Sequence, residues 1–367
     1  MSQADTTSTP RAAANAIDAY LRDVVGKRGS DLHFVAGEPA RMRLYGELQP
    51  LASELLTATR TEEVLLQIMS AAARADFARR DSTDFAYAVD GVARFRVNVF
   101  RHLGGMGAVF RSIPSQAKTL KDLDLPPVLS TLARQPQGMI LVTGKTGSGK
   151  STTLAAIIDE INNRETGHIL TIEDPIEFVH QRKKCLISQR EVGQHTPSFA
   201  DALNSALRED PDVILVGEMR DLETISIAVT AAEMGILIMG TLHTNGAAQT
   251  VDRIVNSFPT DKQSHVRTML STSLRGVISQ QLVPRKGEPG LVAALEIMVN
   301  TPAVANLIRQ GKLDQLENAM QGGRAAGMKT MDSSLRELFD RSQVTGRAAY
   351  EASLDKKKFE DVKDFTS

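Results

Sequence analysis

Cysteine is nearly missing from this 367-residue sequence, where Cys185 stands alone. One thiol excludes an internal disulfide and a four-thiolate zinc site, and it suits a reducing, cytoplasmic compartment. Tryptophan is absent and aromatic residues make up 4%, which leaves few faces on which successive nucleobases could stack. The formal net charge of -1 supplies no global field to hold a polyanion. No nucleic-acid partner is therefore expected, although a local basic patch stays open. Long apolar runs are also lacking. None approaches the ~20 residues of a membrane span, so no direct membrane insertion is expected. Residues 1–10 are rich in Ser and Thr and have no apolar core of the signal-peptide kind; they read as a disordered tail. What remains is ordinary for a globular protein, with 42% hydrophobic residues. The chain is long enough for two domains.

The stretch that organises the chain is Gly144-Lys145-Thr146-Gly147-Ser148-Gly149-Lys150-Ser151, which fits G-x-x-x-x-G-K-[ST]. Average residue frequencies would produce that match in roughly one chain of this length per hundred. Its context sharpens it further. Met139-Ile140-Leu141-Val142 precedes it as a short apolar strand, and Leu154, Ile157, Ile158 and Ile161 follow at helical spacing. A strand, a glycine-rich turn and a helix start build a polyphosphate site, because free backbone N–H groups and the helix dipole both face the anion. The motif assigns Lys150 to the β- and γ-phosphates and Ser151 to Mg²⁺.

In chain order, a helix is expected over 11–27, strands over 31–35 and 42–45, a long helix over 59–78, and strands over 84–89, 93–100 and 106–113. Asp90-Gly91 reads as a hairpin turn. His33 stands in a strand without partner ligands and reads as structural. This first domain, residues 11–114, is α+β. A polar segment with Pro126-Pro127 makes 115–128 a linker. From 129 to 355 strands and helices alternate, with strands at 168–172, 213–216 and 236–240, which implies a parallel sheet covered on both faces. Ligands then gather at the carboxyl ends of its strands. The last third reads as helical over 247–258, 262–282, 302–311 and 332–338, with one strand at 291–299. Residues 356–367 read as a charged, frayed tail.

Hydrolysis needs an acid for the metal ion and a group to position or deprotonate water. Three strand ends offer polar groups: Glu173-Asp174-Pro175-Ile176-Glu177; Gly217-Glu218 after Val213-Ile214-Leu215-Val216; and His243-Thr244-Asn245 after Gly240-Thr241-Leu242. The run ending in Glu218 resembles a Walker B element, with glycine at the expected Asp position and the glutamate one residue later. One acid after a strand is commonly a helix cap, but three such ends beside a phosphate loop point to a reaction centre. Arg94, Arg96, Arg101 and Arg111 crowd the last strands of the first domain. They form either a solvated strand face or a set from which some neutralise the γ-phosphate.

These runs, together with Ile187-Ser188-Gln189-Arg190-Glu191-Val192-Gly193, Arg208-Glu209-Asp210-Pro211-Asp212, Gly217-Glu218-Met219-Arg220-Asp221 and Ser30-Asp31-Leu32-His33, resemble the secretion and type IV pilus ATPases. The resemblance spans about residues 15–345, with the motifs in family order. Within the family it points to the retraction branch that drives twitching motility. The chain starts almost directly with the second N-terminal domain of extension and secretion relatives, and it lacks their zinc cysteines. The resemblance implies a homohexamer whose subunits pair a smaller PAS-like α+β N-terminal domain with a RecA-like P-loop ATPase domain of the α/β class. ATP and Mg²⁺ are the implied ligands. The phosphate-binding positions are Gly144, Lys145, Thr146, Gly147, Ser148, Gly149, Lys150, Ser151 and Thr152, with Ser151 and Glu218 toward the metal. Glu173 is the implied general base and Glu218 the Walker B glutamate, two roles that can be exchanged. His243 is the implied γ-phosphate sensor, and Arg96 and Arg111 are the N-terminal-domain arginines that approach the phosphates. The implied partners are an inner-membrane pilus platform protein, which would place the ring peripherally at the cytoplasmic face of the pilus base, and a paralogous retraction ATPase.

The chain also departs from the retraction branch. Ala305 stands where an arginine is common and Gln310 where a glutamate is common. An accessory retraction paralogue, an extension or secretion ATPase, a nucleotide-gated ring without turnover, and a nucleic-acid translocase are the competing readings.

Overall fold

The computed structural model describes residues 15–44, 46–113, 117–287 and 289–364. The expected tail over 1–10 and the start of the expected first helix lie outside the described residues. The chain divides into two compact units, Met1–Ser115 and Gln116–Ser367.

The first unit is a six-stranded antiparallel sheet with helices. Its strands are β1 Asp31–Val35, β2 Pro39–Leu44, β3 Glu47–Leu55, β4 Ser82–Val89, β5 Ala93–His102 and β6 Gly105–Ile113, in the order β3-β2-β1-β6-β5-β4. Period-2 alternation sends Phe95, Val97 and Val99 into the core and leaves Arg96 outside. Ile17 and Leu21 of the helix Ala16–Gly26 and Leu65 of the helix Ala58–Ile68 close over the same core. This is the α+β, PAS-like class. The single helix expected over 59–78 is two, Ala58–Ile68 and Ala71–Arg80. Met69 turns extended, and Ser70 caps the second helix through Ala73 N at 3.2 Å. Strand β3 escapes the sequence pattern because Pro50 reads as a breaker. Proline is tolerated there because β3 lies at the sheet edge.

The second unit holds a seven-stranded sheet. Its strands are β7 Gly138–Thr143, β8 His168–Glu173, β9 Leu186–Glu191, β10 Val213–Val216, β11 Leu237–Leu242, β12 Leu274–Pro284 and β13 Leu291–Val299, in the order β13-β12-β7-β11-β10-β8-β9. All pairs are parallel except β12–β13. Strands β7, β10 and β11 are buried at every residue, which is why they read as unbroken apolar runs rather than alternating ones. Met139 and Leu141 feed the core on one face, and Ile140 and Val142 feed the core on the other. The result is a doubly wound, RecA-like α/β sheet.

Two expectations are corrected here. The helix expected over 262–282 ends at Ser273, and Leu274–Pro284 is strand β12. Val277 and Ile278 are β-branched, and Gly276 lies so close to Leu132 that an added Cβ would meet its Cδ1 at 2.9 Å. A long apolar stretch does not separate the two periods. The expected frayed end is packed as far as Val362. Phe359 and Val362 are 1% and 4% exposed against Val283, Val292 and Leu335, and Asp332 accepts hydrogen bonds from Leu354 N and Asp355 N at 2.8 and 3.2 Å. The high charge of this segment masks its few apolar anchors.

Candidate nucleotide-hydrolysis site

Strand β7 runs into the glycine loop, and the loop into the helix Lys150–Arg164. Gly144 and Gly149 sit at φ 137° and 87°. A Cβ on Gly144 would lie 2.3 Å from Gln280 O, so no other residue fits there. Gly149 caps the helix without a side chain, leaving the first N–H groups directed at the loop interior. Lys150 Nζ donates to Gly144 O at 2.9 Å and Lys145 O at 3.1 Å, holding the ammonium over the loop. Burial pulls the Lys150 pKa below its ordinary value, and the charge of Glu218 opposes that. Ser148 Oγ is buried without a hydrogen-bond partner among the described residues. Lys145, Thr146, Gly147 and Ser151 are exposed and Thr152 is half-buried. A cradle of N–H donors, a poised lysine and an unmatched hydroxyl fit a polyphosphate.

The three polar strand ends come together beside this loop through the strand order β7-β11-β10-β8. Glu173 ends β8 and is 7% exposed. It accepts hydrogen bonds from Thr171 Oγ1 at 2.7 Å, Glu177 N at 3.2 Å and Gln189 Nε2 at 3.3 Å. Burial outweighs those three donors and pushes its pKa up. A buried carboxyl of raised basicity suits proton abstraction. The peptide bond that follows, Asp174-Pro175, is cis.

Glu218 leaves β10 two residues after Val216. Its Oε1 takes Arg220 Nε and stands 3.1 Å from His243 Nε2. Burial works to raise its pKa, but the Arg220 hydrogen bond and the charges of His243 and Arg220 win and hold it low. The carboxylate is therefore kept ionised. The loop carrying it is fixed on both sides, since Gly217 N donates to Ile172 O at 2.7 Å and Met219 N donates to Thr241 O at 3.0 Å. Thr241 Oγ1 closes the clasp on Gly217 O at 2.5 Å.

Glycine at the usual Walker B acid position has a steric reason. A Cβ on Gly217 would stand 3.1 Å from Ile172 O and 3.2 Å from Glu173 Cα. The structure thus joins Glu218 and His243 directly and places Glu173 on the neighbouring strand. Arg96 and Arg111 lie in the first unit, facing each other across β5 and β6. Arg111 Nε bonds Asp31 Oδ1 at 2.9 Å.

Four contributors are not singled out by the sequence: Arg220 on Glu218, Thr171 and Gln189 on Glu173, and Gln280 against the phosphate loop. Arg220 has a signal, lying two residues beyond Glu218. Gln280 has none, because it reaches Thr153 across 127 positions.

A RecA-like sheet with this loop, a charged Walker B glutamate and a histidine at the next strand end defines a P-loop ATPase. More narrowly, the chain belongs to the Type II/IV secretion system protein family, whose pattern matches residues 8–353. It is 51% identical over 322 residues to the "Type IV pilus retractation ATPase PilT" of Pseudomonas aeruginosa, covering 88% of this chain and 93% of that protein. It is 42% identical over 328 residues to the "Type IV pilus ATPase PilU" of the same organism, covering 89% and 86%. Among solved structures, the "Pilus Retraction Motor PilT and Bound ADP" superposes with a TM-score of 0.88 at 44% identity, covering 95% of this chain and 100% of that one.

Proposed function

We propose that this chain is the ATPase motor of type IV pilus retraction, turning over ATP as a homohexamer at the cytoplasmic face of the pilus base. The observation that carries the reading is the Glu218–His243 pair beside the Lys150 loop, in a chain more similar to the retraction ATPase than to its PilU paralogue. Gly144 to Thr152 cradle the phosphates. Ser151 and Glu218 are the oxygen donors that would hold Mg²⁺ beside the phosphates, and a bound ion would supply charge neutralisation there. Glu173 takes the proton of the attacking water, Glu218 orients that water, and His243 reads the γ-phosphate. Arg96 and Arg111 supply cationic charge to the phosphates. The ring works against an inner-membrane platform protein, alongside a paralogous ATPase where one is made. Differential contacts of ATP and ADP with these groups bias the conformational states of the ring.

Two measurements test this. Glu218→Gln in the purified protein is expected to lower ATP turnover at least 100-fold while nucleotide still binds; equally slow turnover by both proteins would leave a regulatory ring instead. A deletion strain is expected to show more surface pilin and no twitching. Loss of pili would assign extension.

A further inference from the structure

Behind the histidine at position 243, the loop is held by two side chains from the far strands of the sheet. Ser279 on β12 and Glu296 on β13 face each other in register. Together they take consecutive backbone donors at the start of the helix Ala247–Asn256: Gly246 N donates to Ser279 Oγ at 2.9 Å, and Ala247 N donates to Glu296 Oε1 at 2.7 Å. Gly246 has φ 112°, and a Cβ there would stand 3.3 Å from Glu296 Oε1. The helix start is thus shaped to sit on the carboxylate. Only Thr244 and Asn245 separate His243 from this clasp.

Glu296 has a second attachment. Although only 6% exposed, it also accepts from Met331 N, which opens the helix Met331–Asp340. A buried acid is costly unless its oxygens are satisfied; burial pushes the Glu296 pKa up, and the donors of two helix N-termini offset only part of that. The next residue on β12, Gln280, points to the other face and accepts from Thr153 Oγ1 at 2.7 Å, in the helix that follows the phosphate loop. Ser279 and Gln280 therefore tie the histidine loop and the phosphate-loop helix to one strand. The mechanism leaves Glu296 unused, yet it is the buried carboxyl that anchors the loop bearing His243.

We propose that Glu296, assisted by Ser279, is a positioning residue for His243, fixing the histidine loop at the geometry the hydrolytic step requires. This rests on the reading of the chain as an ATPase that uses His243. Glu296 reaches neither phosphate nor water itself. Its effect on turnover runs through the backbone of residues 243–247, and its bond to Met331 N couples that backbone to the C-terminal helix.

The test uses the full chain with Mg·ATP. Glu296→Gln keeps size but replaces one acceptor oxygen with an NH₂ group, which cannot accept from the second helix. It is expected to lower kcat about tenfold, leave KM for ATP and the affinity for ADP within twofold, and speed amide exchange in 243–247 with the phosphate loop unchanged. In a His243→Ala background the same substitution is expected to change kcat less than twofold, because the residue it acts through is gone. Ser279→Ala, a milder removal of one acceptor, is expected to lower kcat two- to threefold and to be equally silent beside His243→Ala; it serves if Glu296→Gln does not fold. Wild-type kcat in both single variants, or a full independent loss in the His243→Ala background, would overturn the proposal. Absence of turnover in the unmodified protein would instead sink the ATPase reading itself.

Discussion

Alanine at position 217 would place a methyl group 3.1 Å from Ile172 O and 3.2 Å from Glu173 Cα. Both neighbours are backbone, so neither can rotate away. Ile172 O is also the acceptor of Gly217 N at 2.7 Å, and Val216 pairs with Ile172 in the parallel ladder. The strands β8 and β10 must therefore part by a few tenths of an ångström at their carboxyl ends. Overpacking of this size costs about 1–2 kcal/mol. Aspartate at the same position, the residue a conventional Walker B strand would carry, adds a second penalty. Its carboxylate would lie near that of Glu173, whose pKa burial already pushes up. Two like charges roughly 5 Å apart at an effective dielectric of about 20 repel by about 3 kcal/mol. Gly217→Asp should accordingly be less stable than Gly217→Ala by about 1–3 kcal/mol, since protonation relieves part of the repulsion. Both should lose turnover, because the clasp holding Glu218 shifts with them. Denaturant melts at pH 7 and steady-state ATPase assays give both quantities. Wild-type stability in Gly217→Ala would refute the steric argument. Equal stability of the two variants would refute the electrostatic one.

Other consequences are as direct. Glu173 has a folded-state pKa raised above 4.5 by burial, so the folded protein binds the proton more tightly than the unfolded chain, and stability falls as pH rises from about 4.5 through the folded value. Glu173→Gln should gain stability relative to wild type across that window while losing activity; melts at pH 4.5 and pH 8 that give the same difference would contradict this. Phe359→Ala removes a ring that is 1% exposed and should destabilise the second unit by about 3–5 kcal/mol, whereas a negligible change in chemical melts would mean the C-terminal segment is not part of the core. Lys150→Ala should abolish binding of a fluorescent ATP analogue, and retained affinity would remove the lysine from the phosphate site.

The candidate site is legible in the sequence because each of its parts is a short local pattern: a glycine loop between a strand and a helix, and polar residues directly after buried apolar strands. Glu173, Glu218 and His243 are visible for that reason, and the parallel order β7-β11-β10-β8 carries them to one edge of the sheet. What stays hidden is non-local. Gln280 meets Thr153, and Glu296 meets Ala247, across separations that no helical or strand period encodes. Strand β12, which carries both Ser279 and Gln280, has the apolar pattern of a helix, so sequence alone cannot place its two supporting side chains on opposite faces. The glycine at 217 departs from the Walker B pattern and is a packing requirement set by a neighbouring strand. Local chemistry is written in runs of a few residues. The groups that hold it in register come from elements whose identity depends on tertiary burial, and in this chain those are the strands β12 and β13 and the packed C-terminal segment.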